Sequence, residues 1–312
     1  MRITLRRSRY LLTFAALCAA VLAAQLTAVP DRGPVGAADL RTTATLTDPT
    51  CGGSTLLKPD GTAWQCTFDD EFSGTSLDPT NWATQVTATS GYHSGAECFV
   101  NSPNNVSVGD GVLSLTVRKE SAPFTCHSRV GGDYTTQYTS GMVDTNGTFS
   151  QTYGRFEIRA KFPAATVKGL QESLWLWPVN STYYGPKWPM SGELDIAEQY
   201  SMYPTLAIPY IHYVPKTLDL KVTSNNCVIK DASQFHTYDL TWTPTSITVA
   251  YDGKNCLVNT KWNPLGLTRP APFDQPFFLN LTQALGVTKN LFDPVNTPLP
   301  ATTQVDYVRA WQ

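Results

Sequence analysis

The chain has 312 residues, of which 42% are hydrophobic, 15% charged and 11% aromatic, with a net charge of −2. That balance suits one large globular domain and excludes a long disordered or low-complexity chain. Its 21 Gly and 22 Pro call for many turns, and its 35 aromatic rings (13 Phe, 14 Tyr, 8 Trp) exceed what a single core needs, so some rings are expected on display.

At the N-terminus, Arg2, Arg6, Arg7 and Arg9 precede an apolar run from Tyr10 to Leu26, and small residues follow before Asp39. This is the layout of an export signal, assigned to residues 1–38 with cleavage between Ala28 and Ala38. A single membrane anchor is the competing reading, disfavoured because the Ala-rich run falls short of the roughly 20 residues needed to span. Without residues 1–38, 18 basic and 24 acidic residues remain, with no basic run and no second long apolar stretch. The expected product is therefore a secreted monomer that binds neither nucleic acid nor membrane.

Removing the signal also removes Cys18 and leaves Cys51, Cys66, Cys98, Cys126, Cys227 and Cys256. An even set without CxxC spacing, in an exported chain, favours disulfides over a zinc site. Of the 15 possible connectivities, the sequential one (51–66, 98–126, 227–256) closes the shortest loops.

Residues 39–60, rich in Thr, Gly and Pro and without period, read as a leader into a domain spanning 61–312. From about Thr67 the pattern becomes short strands divided by turn residues. In VLSLTVRK, after Gly109-Asp110-Gly111, Leu113, Leu115 and Val117 oppose Ser114, Thr116 and Arg118. In GRFEIRAKF, after Asn146-Gly147, Phe156, Ile158, Ala160 and Phe162 face one way and Arg155, Glu157, Arg159 and Lys161 the other. Period two of this kind marks a half-buried antiparallel strand. Further strands are expected at 172–177, 192–199, 208–214, 236–242, 246–251, 276–282 and 304–311, with a hairpin at Asp252-Gly253. No helix of ten or more residues is expected after the signal. Many strands over about 250 residues without alternating helices predict an all-β sandwich or barrel.

The informative segment is Glu193-Leu-Asp195-Ile-Ala-Glu198. Three carboxylates interleaved with apolar residues do not resemble a solvated charge run. Alternation puts Glu193 and Asp195 on one face with Leu194 and Ile196 on the other, and would turn Glu198 towards the core. A one-residue β-bulge around Ile196-Ala197 returns it to the acidic face. With that bulge, Glu193 and Glu198 stand about four strand steps apart, or ~13 Å between Cα atoms. Side chains reaching towards each other leave a gap near the ~5–5.5 Å of a retaining glycosidase. Like charges so close must push at least one pKa upward, supplying a protonated acid near neutral pH. A calcium loop is the bland alternative, disfavoured because apolar residues stand where Gly or Asn would be needed; a polar strand edge is another.

The segment Ser191-Gly-Glu-Leu-Asp-Ile-Ala-Glu198, with Trp188-Pro189 upstream, resembles the active-site strand of glycoside hydrolase family 16, the laminarinase-like group. Asp69-Asp-Glu-Phe72, Tyr153-Gly-Arg-Phe-Glu-Ile-Arg-Ala-Lys-Phe-Pro163, Trp242-Thr-Pro244 and Val305-Asp-Tyr-Val-Arg309 look like other blocks of that family in the same order. The resemblance implies a concanavalin-like jelly roll of two curved antiparallel sheets with an open cleft on the concave face. It implies Glu193 as nucleophile, Asp195 as its assistant and Glu198 as general acid/base, with no cofactor for catalysis. The bulged spacing is that of laminarinases, agarases and carrageenases rather than lichenases, which favours a β-1,3-linked glucan over a galactan, agar or mixed-linkage glucan. A non-catalytic glucan-binding protein of the same fold is disfavoured because both Glu are kept.

Trp175 and Trp177, two apart, are expected on one strand face as platforms for sugar rings. Trp188 resembles the family's platform beside the scissile bond, and His212 a cleft histidine near the acid/base. Arg155 and Asn101 are candidates to bond sugar hydroxyls, with Tyr92 and His93. Glu71, Gly111 and Asp306 match positions at which many members hold a structural calcium ion. Two departures bear on substrate: Met142 replaces the family's Arg after the Thr-Ser block, and the stretch after Asn280 lacks its double Gly.

Overall fold

The structure, a computed structural model, describes residues 50–53 and 55–312. The export signal and most of the leader lie outside the described residues.

The strands, in chain order, are β1 (Cys66–Asp70), β2 (Ala83–Thr84), β3 (Glu97–Phe99), β4 (Val106–Gly109), β5 (Val112–Cys126), β6 (Tyr134–Ser140), β7 (Met142–Asp144) and β8 (Gly154–Lys161). They continue as β9 (Leu170–Pro178), β10 (Glu193–Tyr200), β11 (Ala207–His212), β12 (His236–Trp242), β13 (Ile247–Tyr251), β14 (Lys254–Asn259), β15 (Phe277–Leu285) and β16 (Ala301–Trp311). Among the described residues the longest α-helix is one turn, Thr87–Ser90. Two sheets form the sandwich. One has ten strands, ordered β14-β13-β12-β8-β16-β5-β6-β3, with β1 added on β16 and β4 on β5. The other has six, ordered β11-β10-β9-β15-β7-β2. All pairings are antiparallel except β3 with β6. Two hairpins turn on Asp110-Gly111 and Asp252-Gly253, where both residues have positive φ, as their right-handed twist requires.

The core lies between the sheets. Phe156, Ile158 and Ala160 of β8, Leu113 and Leu115 of β5 and Val305 and Val308 of β16 face Leu174 and Leu176 of β9, Leu194 and Ile196 of β10 and Leu279 and Leu281 of β15. The alternation read in GRFEIRAKF is realised: its apolar set is buried, while Arg155, Glu157, Arg159 and Lys161 stand on the outer face. Those four are only half-buried, since Phe235 lies beneath the cations of Arg159 and Lys161. All three disulfides take the sequential pairing: Cys51–Cys66, Cys98–Cys126 and Cys227–Cys256. The first fastens the described end of the leader to β1, where Cys51 packs with Trp311.

Strand β5 continues to Cys126, past the expected end at Lys119, through an irregularity between Lys119 and Phe124. Its second half pairs with β6 and is tied down by the 98–126 bridge, neither of which leaves a period in the sequence. Strand β6, mostly Thr, Tyr and Gln, carries no apolar alternation because it runs near the edge of its sheet.

One polar row crosses the core side of the six-stranded sheet. Gln199, Glu172 and Gln283 are register neighbours on β10, β9 and β15. Thr303 of the opposite sheet donates to Gln283 Oε1 (2.9 Å), and Gln283 Nε2 donates to Glu172 Oε1 (2.7 Å). Glu172 Oε2 and Gln199 Oε1 are both buried without a donor. Burial pushes the Glu172 carboxyl up to about 8 against the pull of the Gln283 bond. The native state thus holds a proton that the unfolded chain, near 4.5, releases. That contribution to stability is complete below about pH 4.5 and is lost as pH rises through about 8. We expect the stability of wild type relative to Glu172→Gln to fall between these limits by up to about 1.4 kcal/mol per pH unit. Denaturant unfolding of both proteins at several pH values tests this; parallel curves would refute it.

Candidate active site

Strand β10 begins directly after Gly192, whose φ of 83° and whose approach to the Phe273 ring (2.9 Å from an added Cβ) leave no room for a side chain. From there Leu194, Ile196 and Ala197 enter the core, while Glu193, Asp195 and Glu198 line one pocket on the outer face of the six-stranded sheet. The expected bulge is present. Against β9, Asp195 pairs with Trp175, Ala197 with Leu174 and Glu198 with Ser173; against β11, Asp195 pairs with Tyr210 and Glu198 with Ile208. The register slips by one between Asp195 and Glu198, and both Ile196 and Ala197 point inward. Tyr251 of the opposite sheet donates its hydroxyl to Ile196 O at 2.7 Å, satisfying a carbonyl at the bulge.

The neighbouring strands present their outward positions to the same pocket: Gln171, Ser173 and Trp175 from β9, Thr282 and Ala284 from β15, with Tyr92 and Ser94 from the loop before β3. Trp175 and Trp177 meet edge-to-face at 5.8 Å and pack with Phe99, Met142, Phe278 and Ala284. Trp175 Nε1 donates to Thr282 Oγ1 (3.0 Å). Trp188, half-buried, donates from Nε1 to Glu193 Oε2 at 2.5 Å and packs against His212. His212 stacks on Tyr210 with ring centres 4.0 Å apart.

Within this sandwich, a strand that returns its third carboxylate to a cleft through a bulge is the arrangement the sequence resemblance implied. The pattern of Glycosyl hydrolases family 16 matches residues 94–285, which include the whole site strand. The chain belongs to glycosyl hydrolases family 16. It is 32% identical to the glucan endo-1,3-beta-glucosidase A1 of Niallia circulans over 86% of its own length, and spans 39% of that relative. The solved laminarinase of Rhodothermus marinus superposes with a TM-score of 0.67 at 32% identity, covering 80% of this chain and 97% of that one. A keratan-sulfate endo-1,4-beta-galactosidase of Sphingobacterium multivorum is 29% identical over 80% of this chain and 56% of its own length.

Of the residues singled out as substrate-binding, Trp175 lines this family 16 cleft with the three carboxylates, Trp177 packs on Trp175, and Trp188 and His212 stand against Glu193 and Asp195. The Nε2 of His212 stands 2.8 Å from Asp195 Oδ2, and the ring also bears on the charge of Glu198. Asp195 Oδ2 is buried without a hydrogen-bond donor. Arg155 does not belong to the cleft. It stands on the outer face of the ten-stranded sheet, paired with Glu157 and Asp239, with the sandwich between it and Glu193. Asn101 is exposed just beyond β3 and is absent from the pocket lining. Glu71 and Asp306 already have cationic partners: Arg309 donates to Glu71 at 2.7 Å, and Arg159 pairs with Asp306. With both carboxylates held by guanidinium groups, they and the Gly111 turn do not form a free oxygen cage for calcium.

Gln171 and Tyr200 were missed. They donate to Glu198 Oε1 from Nε2 (3.2 Å) and the phenol (2.8 Å), and each falls one residue beyond the strand bounds read from sequence. Carrying period two one step past Ser173 would have found Gln171.

Burial sets the charge state. Glu193, Asp195 and Glu198 are each at most 5% exposed. Desolvation, then the Asp195 charge, drives Glu193 well above its ordinary value, opposed by the indole donor of Trp188. Asp195 is also driven up by burial, against the opposing pull of Glu193. Glu198 is pushed up to about 8 by burial and then by Asp195, against His212, Tyr200 and Gln171. Burial lowers His212 to about 4, so it is neutral at pH 7. The site therefore keeps protons at neutral pH, with one indole donor on Glu193 and two donors, Tyr200 and Gln171, on Glu198. Because the Tyr200 hydroxyl favours the Glu198 anion, Tyr200→Phe should move the titration of Glu198 to higher pH. Carbon-detected NMR of labelled Glu carboxyls measures this, and a downward shift would contradict the assignment.

Proposed function

We propose that this chain is a secreted, retaining endo-β-glycanase that cleaves internal β-1,3-glucosidic bonds of laminarin-type glucans by double displacement. The observation that carries the proposal is the bulge, which places Glu193 and Glu198 on one wall of the cleft with Asp195 between them.

In the first step Glu198 gives its proton to the glycosidic oxygen while a Glu193 carboxylate oxygen bonds the anomeric carbon, breaking the bond to the leaving sugar and forming a glycosyl ester. In the second, the Glu198 carboxylate takes a proton from water, whose oxygen displaces Glu193 from the anomeric carbon and restores both groups. The Trp188 indole holds Glu193 in line, and Asp195 restrains its charge. Trp175, Trp177 and Trp188 supply flat apolar surface for sugar rings. The bulged ExDxxE spacing and the relatives named as 1,3-glucanases support a β-1,3 linkage. Export is supported by the three disulfides and by the Arg-led apolar run at the N-terminus. Among the described residues no helix is long and apolar enough to cross a membrane.

A second reading keeps the chemistry and changes the glycan to a galactan, agar or mixed-linkage glucan. Met142 favours it: this residue, where the family commonly has Arg, sits buried in the aromatic cluster of the cleft.

Reducing-sugar release from laminarin, lichenan, agarose and arabinogalactan separates the two, with laminarin expected to be cleaved fastest. Proton NMR of the first product should show the β-anomer; an initial α-anomer would rule out double displacement. Glu193→Ala is expected to lose at least about 10³-fold in kcat, since the covalent route needs that carboxylate.

A further inference from the structure

Glu97 is a fully buried carboxylate that the double displacement does not use. It opens β3, and among the described residues it has no Lys, Arg or His partner. Its oxygens are filled by backbone amides. Oε1 accepts from the N–H of Ser94 (2.9 Å) and of Gly95 (2.9 Å). Oε2 accepts from Gly95 N–H (3.1 Å) and from Leu285 N–H (3.0 Å). Ser94 and Gly95 belong to the loop that carries Tyr92, whereas Leu285 ends β15, the strand of Thr282 and Ala284. One side chain thus joins two walls of the cleft.

The join is needed on both sides. Strand β7 covers β15 only from Asn280 to Thr282, and Gln283 N–H reaches Gly141 O. Two residues on, Leu285 still pairs with Leu170 of β9 but has no β7 partner on its other side, and its N–H donates to Glu97 Oε2. On the loop side, Gly95 comes so close that an added Cβ would meet Leu285 O at 2.5 Å and Glu97 Oε2 at 2.9 Å. The loop is further pinned by Tyr134, which donates to Glu97 O (2.6 Å). On the same loop, two residues before Ser94, Tyr92 is held at its backbone by Thr87 Oγ1, which donates to its carbonyl (2.9 Å), and by Ser90 Oγ, which accepts from its N–H (3.1 Å). Its ring lies parallel on Phe99 (5.7 Å, 8°), 6.1 Å from Trp175, with Ser94 beside it on the pocket wall.

We propose that Glu97 is a positioning residue for substrate: by capping the amides of Ser94, Gly95 and Leu285 it locks the Tyr92–Ser94 loop against β15 and so builds a sugar-binding wall beside Trp175. This rests on the reading of the cleft as a glycan site. Glu97 touches neither Glu193 nor Glu198, so its effect falls on binding and leaves bond cleavage nearly intact.

In Glu97→Gln an amide NH₂ replaces one oxygen and confronts backbone N–H donors, so one side of the join opens. We expect KM for the best-cleaved glycan of the panel to rise about tenfold with kcat changed less than about threefold. Hydrogen exchange should quicken at Ser94, Gly95 and Leu285 while the amides of β8 and β16 stay protected. Tyr92→Ala should raise KM in the wild-type background and add little to it in Glu97→Gln, because the ring is already displaced. Unchanged exchange at the three amides, a loss carried by kcat, or full additivity of the two substitutions would overturn the proposal. Exchange is read without substrate: if wild type cleaves nothing on the panel while Glu97→Gln frees the three amides, the glycanase reading fails and the join stands. The substrate-positioning role then falls with that reading.

Discussion

The site depends on one extra residue in one strand. Period two governs every other outward position of the six-stranded sheet, and under it Glu198 would enter the core, where an unpaired carboxylate costs several kcal/mol. The bulge at Ile196-Ala197 absorbs the mismatch by sending two successive side chains inward. It also disturbs the ladder at the Ile196 carbonyl, and the donor found for that carbonyl is Tyr251 of the other sheet. The local irregularity that creates the acidic face is therefore held from across the core, and the cleft is a property of the sandwich rather than of β10 alone.

Burial does the electrostatic work that follows. Three carboxylates closed off from water cannot all be ionised, so protons stay in the site at neutral pH. Which group gains from its neighbours is decided by donors: Trp188 reaches Glu193, while Tyr200 and Gln171 reach Glu198. His212, neutral and stacked on Tyr210, fills the space against Asp195 without adding a counter-charge. On the other side of the same strands, Glu172 shows the same physics without chemistry: a carboxyl kept protonated by burial and tied across the core to Gln283 and Thr303.

Beside the acidic strand the cleft is lined by Tyr92, Trp175 and Ala284 together with Ser94, Gln171, Ser173 and Thr282. Trp175, Trp177, Phe99, Phe278 and Met142 pack into one aromatic cluster beside it. Arginines are instead spread over the far face of the ten-stranded sheet, in pairs such as Arg155 with Asp239 and Arg159 with Asp306.

Sequence alone determined whatever depends on period and local spacing. The alternation in β8, the strand of Leu194 and Ile196, the bulge demanded by ExDxxE and the two Asp-Gly hairpins are all consequences of which side chains tolerate burial and which backbone torsions a turn requires. The short-loop pairing of the cysteines followed from chain separation. Tertiary structure decided what depends on which sheet a residue joins. Arg155 has as clear an outward pattern as Glu193, yet it faces away from the cleft because β8 lies in the opposite layer. Gln171 and Glu97 gain their roles from partners 27 and 188 positions away, respectively Glu198 and Leu285. Period fixes a side chain's face relative to its own strand, whereas only the packed sheets fix what that face looks upon.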